Sequence, residues 1–451
     1  MRILICAHDY PPINSPQSLR VGCLARELLA AGHEVCVLTR VGAAESVAEG
    51  AALPRVVRTS AGWFERAIAL SSSLMRVLRF ALRSGKRHGA QGGAKGPMQQ
   101  TPSTADGLNW RGRVVRRLRE LVDGVVFPDS RSLWVKSAVL RGRTLCMEFD
   151  PDIILGSHEP VAGVMVARSL SESHDLPWVA ELGDPILAPY TPTRWLKRAF
   201  AYEREATRLA SAVVVTSEST AQLLQCRHRI PSGRIAVIPQ GFGARHAEDS
   251  EHECRASFPD DVLHLVYTGR FYAFRDPGEL IHAVLAVPRV VLTVAGPAIP
   301  EEIAHLFSEF PTRLRFLGML SHDGAVALQS SADLLVNIGN EGMTQVPGKF
   351  MEYLGSSRPK IHISAGTSDP TAHFVRTSKC GFVVDNERIS LTVLLDSLLQ
   401  RKARNQLSHD LRVGEEYYRA FRWDSLAVQL AEVCERARRD WLQKRHGSID
   451  V

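Results

Sequence analysis

Residues 1–40 read MRILICAHDYPPINSPQSLRVGCLARELLAAGHEVCVLTR. The apolar run at 2–7 is short and suits a strand buried on both faces of a parallel sheet. A proline-rich turn follows (Asp9-Tyr10-Pro11-Pro12), and the spacing then predicts a helix over about 18–31. Leu19, Cys23, Leu24, Leu28 and Leu29 are expected on its inward face, with Gly32 ending it in the left-handed conformation that glycine adopts freely. Residues 34–39 form the next apolar run. Strand, loop, helix, strand is the repeating unit of a doubly wound α/β sheet.

The unit recurs along the chain. Strands are expected at 152–156, 178–182, 212–216 and 235–239, with helices at 161–171 and 193–210. The polar, charged stretch 241–259 reads as a linker. Beyond it, strands are expected at 264–268, 290–295, 314–317, 334–338, 360–363 and 381–384, with helical segments between them, and 407–444 reads as helical. Two successive βα series joined by a linker indicate two Rossmann-like domains. The expected division is 1–240, 241–415 and a C-terminal helical segment 416–451.

Residues 60–145 interrupt this pattern. Ala61 to Leu145 holds 16 Lys/Arg against 5 Asp/Glu, a local balance of +11 in a chain of net charge +7, which leaves about −4 elsewhere. Residues 84–107 are nearly free of apolar side chains and are expected to be a mobile loop. The segment 111–122, RGRVVRRLRELV, is amphipathic if helical. With Arg76, Arg79, Arg83, Lys86 and Arg87 it forms a basic stretch, 76–119, suited to an anionic membrane surface. No aromatic platform accompanies this charge, which argues against nucleic acid. The eight cysteines are scattered without metal-ligand spacing, as expected of free thiols in a reducing compartment. The sequence has neither a run of about 18 apolar residues nor a signal-peptide pattern, so a cytoplasmic protein is expected.

Ligands of open α/β sheets bind beyond the carboxyl ends of the strands. The loop after the first strand offers His8, Asp9, Asn14, Ser15 and Arg20, and it lacks the glycines of a dinucleotide-binding turn. In the second domain, Thr268-Gly-Arg-Phe-Tyr-Ala-Phe-Arg275 lies between a strand and a helix. Gly269 permits close backbone approach, and Arg270 and Arg275 carry permanent charge that matches phosphate oxygens. The third segment, 341–353, is EGMTQVPGKFMEY. Pro347 and Gly348 mark a turn into a helix whose first N–H groups favour an anion, with Lys349 adding charge. Glu352, one turn inside, is placed to accept from a vicinal diol such as a ribose. Gly296, and Gly318 with Met319, close two further strands. His158 and Asp184 follow strands of the first domain, whereas the D-x-D string Asp150-Pro-Asp152 directly precedes one and reads as a loop, not a metal site.

Together these segments resemble the family 4 retaining glycosyltransferases of the GT-B fold. The opening 40 residues look like that family's start, and 211–241 (SAVVVTSEST…IAVIPQGF) resembles its interdomain region. Residues 266–275 resemble its phosphate site, and VPGKFMEYLGSSRPKI at 346–361 its donor signature. Trp423 and the residues after it look like the C-terminal helix that returns to the first domain. The resemblance implies two Rossmann-like domains facing across a cleft, the second gripping a nucleotide-diphosphate sugar and the first a sugar or lipid-linked acceptor, with no metal required. It places Arg270, Arg275 and Lys349 at the diphosphate, with Asp184 as a further catalytic candidate. Gly269, Gly296, Gly318, Met319, Glu341, Pro347, Gly348 and Glu352 would form the donor site. Asp9, Asn14, Ser15, Arg20 and His158 would form the acceptor site.

Five positions depart from the family pattern, among them Arg275, where a lysine is usual. Thr344 stands where a second glutamate is common, with Glu341 a nearby substitute; Gln240 stands for an asparagine; Gly183 and Ile186 replace an arginine and a tryptophan. The loss of a glutamate at 344 motivates a competing expectation, an inactive GT-B protein that binds a nucleotide or a partner; a sugar-nucleotide epimerase on the same fold is a second alternative.

Overall fold

The apolar runs become parallel strands whose middle residues are buried on both faces, and helices from the intervening segments cover them. The structure is a computed structural model that describes residues 1–13, 15–41, 53–62, 117, 120–243, 259, 261–272, 275–339, 346–366 and 369–447. Asn14, Glu341, Thr344, the expected mobile loop and nearly all of the basic stretch 76–119 lie outside the described residues.

Two units emerge: 1–238 with 427–451, and 239–426. In chain order the first carries β1 (Arg2–Cys6), α1 (Pro16–Ala30), β2 (Glu34–Arg40), β3 (Arg55–Thr59), α2 (Trp134–Phe149), β4 (Ile153–His158) and α3 (Ala162–His174). It continues with β5 (Trp178–Leu182), α4 (Leu196–Leu209), β6 (Ala212–Val215), α5 (Glu218–His228) and β7 (Ile235–Val237). All its strand pairs are parallel, in the order β3-β2-β1-β4-β5-β6-β7.

The second unit holds β8 (Leu263–Thr268), α6 (Gly278–Ala286), β9 (Val290–Ala295), α7 (Glu301–Glu309), β10 (Leu314–Phe316), α8 (His322–Ser331) and β11 (Leu334–Ile338). Then come α9 (Gly348–Leu354), β12 (Lys360–Ser364), α10 (Pro370–Ser378), β13 (Gly381–Asp385) and α11 (Arg388–Ala403). Its sheet is parallel too, in the order β10-β9-β8-β11-β12-β13. The last helix, α12 (Trp423–Gly447), begins in the second unit and continues as part of the first, where Arg438 and Arg445 pair with Asp152 and Asp175 at 2.9 and 3.0 Å.

Each sheet therefore runs outward in both directions from its first strand, and the order reverses between β1 and β4 and between β8 and β11. Where two such strands diverge at their carboxyl ends, a crevice opens. Each large apolar side chain fully buried beneath these crevices contributes roughly 1.5–3 kcal/mol. Trp134 of α2 is one, fully buried in the first core and donating its indole N–H to Thr59 at 2.8 Å.

Two sequence expectations need correction. The buried face of α1 is Val21, Leu24, Ala25 and Leu28; Leu19, Cys23 and Leu29 lie at its border. The sheet selects the stripe with i, i+3, i+4, i+7 spacing, and 21, 24, 25, 28 fits it without a gap. The stretch 407–422 is not α-helical. Asp410 and Gly414 adopt positive φ (65° and 111°), and short 3₁₀ turns at Glu415–Tyr417 and Arg419–Phe421 follow before α12 starts. Elsewhere the bland readings hold: Cys6 and Cys36 are buried, and Asp150 and Asp152 are structural, both oxygens of Asp152 being taken by the Arg2 amide (2.7 Å) and Arg438.

Candidate functional site

At the mouth of the second sheet, glycines bring three strand ends together. The Gly269 amide donates to Ala295 O and the Gly296 amide to Gly318 O, both at 2.9 Å. Gly269 has φ 149°, and a Cβ on Gly296 would collide with the Gly269 carbonyl oxygen. A larger residue at 296 would push β8 and β9 apart at the point where the next loop begins. That loop is folded back by Tyr267, whose hydroxyl donates to Arg270 O at 3.0 Å and whose ring stacks on Phe271 at 4.4 Å. The guanidinium carbons of Arg270 and Arg275 lie 5.9 and 5.2 Å from the centre of the Tyr272 ring. One aromatic ring thus attracts both cations through its quadrupole. Met319, past Gly318, is 61% exposed.

Across the reversal point, β11 leads into α9. Pro347 is its N-cap residue, with φ −58° and ψ 133°, and makes no side-chain cap to the helix. Gly348 packs beside Gln240. Glu352 is 6% exposed, although it is charged and one turn into a short helix. Its carboxylate receives Lys349 Nζ at 3.2 and 3.1 Å and Gln329 Nε2 at 2.8 Å, with His322 Nδ1 at 4.0 Å. Gln329 Nε2 also donates to Thr268 Oγ1 at 3.0 Å, and the Tyr353 hydroxyl accepts from the Thr268 amide at 2.9 Å. Burial works to raise the Glu352 pKa, but Lys349, Gln329 and His322 outweigh it and hold the carboxyl below its ordinary range. The Lys–Glu spacing is that of an ordinary surface helix; what departs from a surface pair is the burial of the acid while Lys349 stays 39% exposed.

The mouth of the first sheet is built differently. Arg20 and Glu181 are each 1% exposed and form an ion pair through Nε, and Arg20 Nη2 donates to Ile238 O at 2.9 Å. The other Glu181 oxygen accepts from Ser157 at 2.6 Å and Gln17 at 3.3 Å. Arg20, expected to bind the acceptor, is buried in this internal network. Ser15 is likewise the N-cap of α1, its hydroxyl accepting from the Ser18 amide at 3.1 Å. Asp9 receives His8 Nδ1 at 2.8 Å and Arg40 Nε at 3.2 Å. Burial pulls the Asp9 pKa upward, but His8 and Arg40 bring it down to about 2. Burial lowers the His8 pKa against the pull of Asp9. His158, at the end of β4, is 3% exposed, and its Nδ1 has no hydrogen-bond partner among the described residues. Past β5, Asp184 accepts from the Tyr190 hydroxyl at 2.8 Å, and that hydroxyl also lies 3.4 Å from Glu159.

The structure brings together Arg270 with Arg275, Lys349 with Glu352, and Gly269 with Gly296 and Gly318. Residues the sequence reasoning did not single out are Gln329, Thr268 and Tyr353 at the second mouth, and Ser157, Glu159, Tyr190 and Gln17 at the first. Glu181 carried a signal, since a carboxylate inside the apolar strand WVAEL demands a buried partner. Among the described residues, no group of three or more His, Cys, Asp or Glu is arranged to hold a metal ion.

Residues 100–243 match the family described as Glycosyltransferase Family 4. No curated protein matches the chain by sequence. Among solved structures it is similar to sucrose-phosphate synthase from Thermosynechococcus elongatus, with 18% identity, TM-score 0.62 and coverage of 96% of this chain and 97% of that one. It is similar also to HepE from Anabaena in complex with UDP and glucose, with 16% identity, TM-score 0.62 and coverage of 96% and 98%. A third is WaaG, a glycosyltransferase involved in lipopolysaccharide biosynthesis, with 13% identity, TM-score 0.51 and coverage of 98% of each chain. The chain thus has the GT-B fold, two Rossmann-like sheets of seven and six parallel strands, and its residues 100–243 match the model described as Glycosyltransferase Family 4.

Proposed function

We propose that the protein is a glycosyltransferase that moves a sugar from a nucleoside-diphosphate sugar to an acceptor hydroxyl with retention, in the synthesis of a surface polysaccharide or glycolipid. The observation that carries this reading is Glu352, a buried carboxylate at the reversal point of the second sheet, one turn from Lys349 and beside the glycine-lined strand ends. The UDP and glucose bound by HepE, on the same fold, support the class of donor.

In this scheme the ribose hydroxyls take the place of the Lys349 ammonium on Glu352, and Lys349 turns to the diphosphate with Arg270 and Arg275. Gly269, Gly296, Gly318 and the amides of Gly348 and Lys349 let the ligand approach the backbone, and Met319 lies by the base. Charge that develops on the departing diphosphate is stabilised by guanidinium and ammonium groups already in place. The neutralising charge then comes from side chains rather than a metal. The acceptor hydroxyl attacks the anomeric carbon as the C–O bond to phosphate breaks, and the departing phosphate oxygen takes its proton. His158 and Asp184, with Asp9 nearby in the first unit, orient the acceptor.

Thermal shift with UDP, GDP, ADP and TDP and their glucose conjugates, followed by product analysis, tests the reading. One nucleoside diphosphate is expected to raise Tm, and its sugar to be transferred or slowly hydrolysed. Binding without turnover would mean an inactive nucleotide-binding protein, conversion of the donor to an isomer without acceptor would mean an epimerase, and binding of none would overturn the donor site itself.

The acceptor we propose is lipid-linked, met at the cytoplasmic face of an anionic membrane. No helix of the described residues is long and apolar enough to cross one. The support is a patch on the first unit where exposed Leu121, Val125 and Leu196 adjoin exposed Arg117, Arg194, Lys197 and Arg198. Trp195 joins the two segments, its indole N–H 3.3 Å from Asp123 O. Apolar side chains ringed by cations, with a tryptophan between, suit the headgroup boundary of a bilayer. Co-sedimentation with phosphatidylglycerol vesicles, reduced for Val125→Asp with Leu196→Asp and absent for phosphatidylcholine vesicles, is the expected result; equal behaviour of variant and parent would dismiss the patch.

A further inference from the structure

Gln329 is fully buried in α8, and it is the side chain that joins the two halves of the second mouth. Its single amide nitrogen donates to Thr268 Oγ1 at 3.0 Å and to Glu352 Oε1 at 2.8 Å. A primary amide nitrogen carries two hydrogens, so both bonds are made together. Thr268 is the last residue of β8, directly before Gly269 and Arg270, and Tyr353 holds it from the other side through the Thr268 amide and, at 3.1 Å, its hydroxyl. Glu352 is the residue before Tyr353 in α9. Three elements that are far apart in sequence therefore meet on one uncharged donor.

Chemistry narrows what this position can hold. A carboxylate here would face Glu352 with like charge, and a leucine would take one donor from the Thr268 hydroxyl and one from Glu352 Oε1, leaving them only Tyr353 and Lys349 of the partners named above. Lys349 and His322, which also lie beside that carboxylate, both reach solvent, at 39% and 47% exposure, and can change partner when a ligand arrives. Gln329 is sealed in and cannot.

We propose that Gln329 is a positioning residue for the donor: its amide locks the Glu352 carboxylate to the start of the Arg270 loop, so that ribose recognition and diphosphate binding are set together. The proposal rests on the donor-site reading above. It predicts a coupled loss. In Gln329→Leu, the preference for a ribonucleoside diphosphate over its 2′-deoxy or 3′-deoxy form should fall by about tenfold, and the preference for diphosphate over monophosphate should fall with it. Gln329→Glu, nearly isosteric, should show the same loss at neutral pH through repulsion with Glu352 and recover part of it near pH 5, where a protonated acid can donate again.

Calorimetric titration of the full chain with UDP, ADP and GDP, with their 2′-deoxy and 3′-deoxy forms and with the monophosphates, reads both ratios. A fall in both for Gln329→Leu, or for Gln329→Glu should the leucine variant not fold, supports the proposal. A lower Tm with both ratios unchanged overturns it, since a residue that only supports the fold would not alter selectivity. If the parent protein binds none of these nucleotides or ignores the ribose hydroxyls, the donor-site reading fails; if it discriminates and the variants discriminate equally, only the role of Gln329 fails.

Discussion

At the first mouth a buried arginine of α1 and a buried glutamate of β5 close on each other; at the second a buried glutamate of α9 is paired with a lysine of the same helix that keeps contact with water. The two sheets share a strand order about their reversal points, so topology does not account for the difference. At the first mouth Arg20 is held by Glu181 and Ile238 O, and Glu181 by Arg20, Ser157 and Gln17. Every one of these partners is part of the protein. At the second, the partners of Glu352 include a sealed donor, Gln329, and two groups that reach solvent, Lys349 and His322. A charge pair closed on itself holds a fold together, whereas a pair with one solvated member can exchange that member for a ligand at little cost in desolvation.

The comparison breaks if variants at the two mouths behave alike. The largest effect is expected at the second. Arg270→Ala combined with Arg275→Ala should reduce turnover of the nucleotide sugar by at least about 10³-fold, the scale for removing preorganised charge from a developing anion. Both side chains reach solvent, so urea unfolding should shift by no more than about 0.5 kcal/mol. Unchanged turnover would remove the diphosphate role. At the first mouth the expected effect is on folding: Arg20→Ala leaves the Glu181 carboxylate buried without its cation and should cost about 3–5 kcal/mol. Replacing both, Arg20→Met with Glu181→Leu, should recover most of that loss, because an apolar pair needs no desolvation. Should Arg20→Ala fold with normal stability and yet lose acceptor binding, the internal brace would have to be reassigned as a ligand contact.

The same contrast explains what the sequence made legible. Strands such as Val290–Ala295 and Leu334–Ile338 were expected at the bounds they have, because a strand buried on both faces is an unbroken apolar run ended by a turn. β3 was not picked out: RVVRT is a five-residue edge strand with arginines at 55 and 58, and edges carry little of that signal. The glycines at 269, 296 and 318 and the turn at Pro347 and Gly348 were readable because backbone geometry limits which residues fit there. The internal roles of Arg20 and Ser15 were not legible, because a polar residue near a strand end looks the same whether it faces a ligand or the interior. Burial decides the matter, and the partner of Arg20 lies 161 residues away. Gln329 gave no signal at all, since an amide inside HDGAVALQSS reads as a solvated helix position until α9 is folded against it.

The smallest expected effect tests whether any charge at the first mouth stays open to exchange. Asp9 is held by His8 and Arg40, and its pKa is about 2 against an ordinary value near 3.8. A folded-state pKa below the unfolded one means that the pairing stabilises the fold in full above about pH 5 and is lost as pH falls through 4 towards 2. His8 adds to the same trend, since burial lowers its pKa and protonation below about pH 6.5 favours the unfolded chain. Asp9→Asn should therefore lower stability at pH 7 by on the order of 1 kcal/mol, discounted for partial exposure, and the gap to the parent should narrow as pH drops from 5 to 3. Urea unfolding across that range measures it. A gap that stays constant with pH would mean that the carboxylate charge does not hold Asp9 in place. Asp9 would then resemble Lys349 more than Arg20, a group free to leave its partners for an incoming acceptor, and the division between a closed first mouth and an open second one would have to be redrawn around it.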